Sequence, residues 1–138
     1  MRLLPTLALT VLLVLAATPT LAGTLEDFGG HDGILRVTTD FVTRVVRDTR
    51  INRFFAHANG AKLIQLISSQ VCEALGGPCR YTGRSMKDTH RGMGVTSKDF
   101  NALVEDLCDA MDAARIPAHA QNKLLAKLAP MWRDIVTR

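Results

Sequence analysis

The chain has three cysteines in 138 residues, and none stands in a Cys-x-x-Cys or paired Cys/His spacing. That excludes zinc fingers and other sites in which side chains alone hold a metal. Histidine is also sparse, and His31, His57, His90 and His119 lie far apart. Aromatic residues make up 5% of the chain. The 17 basic residues outnumber 13 acidic ones but are scattered, and the tightest group, Arg44, Arg47, Arg50 and Arg53, has Asp40 and Asp48 among it. A nucleic-acid surface needs a denser basic stripe with aromatic partners, so none is expected. Alternating strand patterns, internal repeats and low-complexity segments are missing as well.

Long apolar runs are absent except at the N-terminus. There Arg2 precedes an apolar stretch from Leu3 to Ala17, and Thr20-Leu21-Ala22 forms a small-x-small site. This three-part layout is that of a secretory signal peptide over residues 1–22. It predicts export, to the periplasm or beyond the cell, and a mature domain over residues 23–138. An uncleaved anchor is the alternative, but the stretch falls short of the ~20 residues that span a bilayer. No cysteine lies near the cleavage site, which speaks against a lipoprotein, and no stable membrane insertion is expected after cleavage. Removing 22 of 138 residues leaves 116, enough for one domain around one core. Loss of Arg2 takes the side-chain charge from +4 to +3.

What remains is helical. Ile34, Leu35, Val37, Phe41, Val42, Val45 and Val46 recur with a 3.6-residue period, with Asp32 near the start of the helix. Ile51 to Phe55 is a short apolar knot in a connection. A second helix over about 60–75 carries Leu63, Ile64, Leu66, Ile67, Val71, Ala74 and Leu75, and Gly76-Gly77-Pro78 stops it. Met86 to His90 has room for one turn before Gly92 and Gly94. Thr96 with Asp99 three residues on predicts a capped start for a helix lined by Phe100, Leu103, Val104, Leu107, Ala110, Met111 and Ala114. Ile116-Pro117 opens the last helix, whose face is Leu124, Leu125, Leu128, Met131, Trp132, Ile135 and Val136; Pro130 should kink or shorten it. Cys108, among apolar neighbours, reads as a buried thiol. Cys72 and Cys79 are near enough across the glycine turn for a local disulfide, although spacing alone does not fix connectivity.

His90 is the residue that asks for a purpose. It sits in a glycine-broken loop with no second ligand beside it, so it can serve a metal only if the other ligands arrive with a cofactor. Haem brings four porphyrin nitrogens and leaves an axial place for one imidazole. A flat ligand filling the space would also explain why one helix shrinks to a single turn.

Three stretches resemble the group I truncated haemoglobins. Gly29-Gly30-His31-Asp32-Gly33-Ile34 resembles their entry motif. Phe41, Arg44-Val45-Val46-Arg47-Asp48 and Phe54-Phe55 resemble the second helix and the phenylalanine corner. Gly76-Gly77-Pro78, Tyr81-Thr82-Gly83, Met86-Lys87 and His90-Arg91-Gly92-Met93-Gly94-Val95 resemble the proximal half. The similarity runs through nearly all of the mature chain, in order and spacing. It implies an all-α, truncated globin-like two-on-two helical sandwich around one haem b. It further implies His90 as the iron ligand, Phe55 flat on the porphyrin, Met86 and Val95 as apolar proximal contacts, and Tyr81 at the porphyrin edge. Lys62, Arg84 and Arg91 are candidates to meet the propionates.

The distal side departs from the family pattern. Where relatives carry a tyrosine and one or two glutamines, this chain has Val42, Leu63 and Ile67. Gln70 lies one turn beyond Ile67 and reaches a ligand only if its helix is shifted. His57 is a second candidate axial ligand, while His31 and His119 read as solvated. The expected function is binding of oxygen, nitric oxide or carbon monoxide at a pentacoordinate iron in an apolar pocket, for transport or sensing. Oxygen should be held weakly and autoxidation should be fast, because oxygen leans on a donor more than the other two gases do. The enzymatic alternative is nitric oxide dioxygenation with an external electron-donor protein; the missing donor and export both weigh against it, and no distal histidine or arginine supports peroxidase chemistry. A haem-free helical interaction module would leave His90 and its loop without a role.

Overall fold

Helical periodicity sets the architecture, described by a computed structural model over residues 24–137. The proposed signal peptide lies outside those residues. The helices are α1 (Thr24–Asp27), α2 (Gly30–Arg47), α3 (Gly60–Ala74), α4 (Met86–His90), α5 (Ser97–Ala113), α6 (Ala118–Leu128) and α7 (Trp132–Ile135). Single 3₁₀ turns occupy Asn52–Phe54 and Ala129–Met131, and no strand occurs among the described residues. No helix among them is long and apolar enough to cross a membrane.

The core is built on α2. Ile34, Val37, Phe41, Val42 and Val45 are all buried there, meeting Val71 and Cys72 of α3, Ala102, Leu107, Ala110 and Met111 of α5, and Ala120 and Leu124 of α6. Accordingly α2 packs against both α3 and α5, α3 packs against α6, and α4 packs against α7. One polar link crosses the α2–α3 seam: the hydroxyls of Thr38 and Ser68 lie 2.6 Å apart, and Thr38 also donates to the Ile34 carbonyl at 2.9 Å. Both side chains are buried, and the pair spares each an unmade hydrogen bond.

Several expectations need correction. α2 starts at Gly30, ahead of Asp32, and α1 was not foreseen. A four-residue helix is too short to display a period. The corner between them requires Gly33, since a Cβ there would sit 1.6 Å from the Phe28 carbonyl oxygen. Leu35, Val46 and Trp132, expected on buried helix faces, are exposed. Cys108 is half-buried rather than buried. Burial and the nearby Asp112, Asp109 and Glu105 charges push its thiol up, so it is a poor nucleophile. Pro117 caps α6 from outside instead of occupying its first turn. Pro130 shortens the last helix as expected: α6 stops at Leu128, a 3₁₀ turn follows, and α7 sets off separately.

The disulfide that spacing left open is formed: Cys72 joins Cys79 across a Cα separation of 5.7 Å. The capping box is formed too. The Thr96 hydroxyl accepts from the Asp99 N–H while the Asp99 carboxylate accepts from the Thr96 N–H. Those bonds, then the Thr96 hydroxyl and Arg53, hold the Asp99 carboxyl below its usual range. Thr96→Ala should cost about 1 kcal/mol in denaturant unfolding.

Asp106 is the exception to polar satisfaction. It is buried, and its Oδ2 has no hydrogen-bond partner. Burial first, and the Asp48 charge second, push its carboxyl up, while Arg50 works the other way. A raised carboxyl favours the fold while protonated, and the protein loses that stability as pH rises through the raised value. Asparagine cannot ionise and offers an amide to Asp48. Asp106→Asn should therefore raise unfolding stability by about 1 kcal/mol at neutral pH. Melting curves across pH should show the gain fading below the ordinary carboxylate range.

Candidate functional site

α4 is one turn long, so its own hydrogen bonds cannot hold it. The Ser85 hydroxyl caps it by accepting from the Asp88 N–H, and donates in turn to the Asp88 carboxylate at 2.9 Å. Arg91 closes on the same carboxylate at 2.7 Å, and Arg84 donates to the Asp88 carbonyl at 2.7 Å. Beyond His90 the chain turns sharply, with Gly92 at φ 77° and Gly94 at φ 66°. L-side chains pay for that left-handed region, which is why glycine stands there.

His90 is half-buried, and its Nδ1 lies 2.8 Å from the Met86 carbonyl oxygen. A carbonyl only accepts, so Nδ1 carries the proton and Nε2 keeps its lone pair. This is the tautomer a metal-binding imidazole needs, with the outer nitrogen anchored to the backbone. His90 opens on a cavity of about 80 Å³ with Phe54, Phe55, Val95, Phe100, Leu103 and Ile135 on its walls. Apart from His90 itself, Asp99 is the one ionisable residue of that lining, and its carboxylate is engaged by Thr96 and Arg53.

No group of three or more His, Cys, Asp or Glu side chains among the described residues is arranged to hold a metal. A metal at His90 must therefore bring its other ligands with it. One presented lone pair, an apolar aromatic wall and no competing side-chain ligands are the donor set that suits an iron porphyrin.

The structure brings His90, Phe55 and Val95 together on this cavity. The other expected site residues, Val42, Leu63, Ile67, Tyr81 and Met86, are not on its lining. Met86, one turn before His90, points its sulfur toward α3, where the Gln70 amide lies 3.6 Å away. Leu63 and Ile67 are half-buried on α3 against the core, and Val42 is fully buried within it. Tyr81 is half-buried, with its hydroxyl donating to the Arg84 carbonyl at 2.8 Å, and burial pushes its phenol up. Gln70 also meets the Met131 sulfur, at 3.4 Å, so its amide is turned toward α4 and the chain end. Of the propionate candidates, Arg84 and Arg91 are engaged by α4 itself, while Lys62 is exposed on the first turn of α3. His57 and His31 are exposed; His119, also exposed, is paired with Asp27 at 2.9 Å rather than simply solvated.

Sequence reasoning placed Phe54, Phe100, Leu103 and Ile135 on apolar faces but not at the site. Their periodicity announced burial. Only the packing of four separate segments made them neighbours of His90. Gly92→Ala meets no atoms within 4 Å, so its effect is purely conformational. It should cost roughly 1–2 kcal/mol, measured by chemical denaturation, and should disorder the turn that carries His90.

Comparison with known proteins points the same way. Residues 24–137 match the family model described as bacterial-like globin. The chain is 34% identical over 116 residues to a group 1 truncated hemoglobin of Mycolicibacterium paratuberculosis, covering 84% of this chain and 85% of that one. It is 30% identical over 108 residues to one from Synechocystis, covering 75% and 84%. Among solved structures, the truncated hemoglobin of Tetrahymena pyriformis in its Fe(III) form superposes with a TM-score of 0.79 at 22% identity, covering 83% of this chain and 98% of that one. The 2/2 hemoglobin of Synechococcus, in the cyanomet state with covalently attached heme, gives 0.78 at 26% identity, covering 85% and 100%.

Proposed function

The chain belongs to the bacterial-like globin family, as a group 1 truncated haemoglobin, and on that premise we propose that it binds haem b through His90 and takes up diatomic gases on the opposite side of the iron. Globins bind haem and gas ligands; the identity of the haem, the axial residue and the preferred gas are the proposal. The observation that carries it is the His90 imidazole, anchored at Nδ1 by the Met86 carbonyl, which leaves Nε2 unprotonated, and lining a cavity shared with Phe55 and Val95.

Each residue has a task in this reading. Bound haem supplies an iron centre for gas ligands. His90 holds it on one side, and the hydrogen bond to Met86 keeps the ring from turning away. Phe55, Phe54 and Val95 exclude water from the apolar face. Met86 and Tyr81 border the proximal segment. Val42, Leu63 and Ile67 are assigned to the distal side in this reading, and none of the three offers a hydrogen-bond donor. Gases that need little polar help are therefore favoured over oxygen, and the protein serves gas binding, transport or sensing rather than turnover.

We place the protein outside the cytoplasm. The N-terminal layout of residues 1–22 supports export, and the Cys72–Cys79 disulfide suits an oxidising compartment. An electron-donor protein that keeps the iron reduced would have to work there too.

The test begins with the absorption spectrum of the mature chain loaded with haem, in ferric, reduced and carbonyl forms. A five-coordinate reduced spectrum that His90→Ala abolishes supports the axial assignment; an unchanged spectrum in that variant refutes it. Leu63→Gln should restore a distal donor. Stopped-flow measurement should then find oxygen leaving about tenfold more slowly, with carbon monoxide little changed. An oxygen off-rate in the parent already as slow as in tyrosine-bearing relatives would overturn the apolar-pocket reading.

A further inference from the structure

α7 and the residues around it make contacts that a chain end packed only for stability does not need. Pro130 ends α6 at Leu128, and the chain turns through Ala129–Met131. The segment that follows leaves the helices of the core and packs against α4. Four separate points tie it to the surroundings of His90. The Met131 sulfur receives the Gln70 amide, which also reaches Met86 at the start of α4. α7 lies along the turn that holds His90. Ile135 shares the cavity wall with His90, Phe55 and Val95. Finally, the Thr137 N–H donates to the Val95 carbonyl at 2.9 Å, pinning the chain that leaves the glycine turn.

From these contacts we infer that Met131–Thr137 is a proximal brace, a set of positioning residues that fixes how firmly His90 holds the iron. The inference rests on His90 being the axial ligand. Its physical basis is the shortness of α4. Five residues make about one hydrogen-bonded turn, and such a turn is not stable alone. Its N-terminal side is secured by Ser85 and Asp88. On the C-terminal side two glycines at positive φ give the backbone freedom. The Thr137–Val95 bond restrains that free side, and Ile135 limits how far the imidazole can move within the cavity.

Two variants separate positioning from simple stability. Ile135→Ala opens the wall beside His90. Thr137→Pro removes the single N–H that holds Val95, at a position whose preceding residue is already extended (ψ 117° at Val136) and so accepts a proline after it. Thr137→Ser keeps the N–H and is the conservative control. The measurements are the iron–histidine stretching band of the reduced haem-loaded protein, the rate of haem loss to an acceptor, and the melting point of the haem-free chain.

The brace predicts that both variants lower and broaden the stretching band and speed haem loss by about tenfold, while Thr137→Ser matches the parent. A band present in the parent and unmoved in both variants, with only the melting point changed, overturns the brace alone. Absence of that band in the parent, or its persistence in His90→Ala, overturns the axial assignment and the brace with it. If Ile135→Ala fails to fold, Thr137→Pro against Thr137→Ser decides the matter.

Discussion

The constraint on which the rest of the structure turns is the shortness of α4. A single helical turn cannot hold a histidine in place, because helix formation repays its initiation cost only after several more residues are added. His90 is therefore oriented by contacts at the two ends of α4 and from outside it as much as by the helix itself. Ser85 and Asp88 supply the cap, the Met86 carbonyl fixes the imidazole tautomer, Gly92 and Gly94 let the chain turn away, and α7 leans on the remaining side. The Cys72–Cys79 disulfide adds a covalent limit upstream, since it ties the loop that leads into α4 to the end of α3.

The opposite side is built on different terms. α2 is buried along one face and seated against both α3 and α5, so its position is set by packing area rather than by a few polar contacts. The Thr38–Ser68 hydroxyl pair is its one buried polar link to α3. Because dispersion and burial act without direction, the α2–α3 seam is set by apolar side chains, Val42, Leu63 and Ile67 among them.

Apart from Asp99, which lines the cavity and is paired with Arg53, the charged cluster of α2 and α5 stands off the cavity lining. Asp48, Arg50, Glu105 and Asp106 form a group at the end of α2 and along α5, with Arg50 bonded to both Asp48 and Glu105. Arg53 bridges from the same connection to Asp99 at the start of α5. These pairs fasten the connection that carries Phe54 and Phe55, which lets two aromatic rings reach the cavity from a segment with little regular structure of its own. Asp106 is the strained member, buried beside another carboxyl with one oxygen unpaired.

The sequence by itself determined the helical class, the long helices near their true limits, the Thr96–Asp99 cap and the stop at Gly76-Gly77-Pro78, and it singled out His90 as the residue in need of a role. Each of these is written in local chemistry: a period of 3.6, a side chain that bonds its own backbone, a residue that tolerates positive φ. The family resemblance extended that reading to Phe55, Val95 and Met86. Tertiary structure alone decided that Phe100, Leu103 and Ile135 stand beside His90, that α7 turns back onto α4, that Cys72 pairs with Cys79, and that Leu35, Val46 and Trp132 face outward. It also decided the fate of Gln70, whose amide meets two methionine sulfurs from distant segments. The physical reason is range. Periodicity and capping act within a few residues along the chain, whereas burial is shared among segments that meet only when the whole chain has packed.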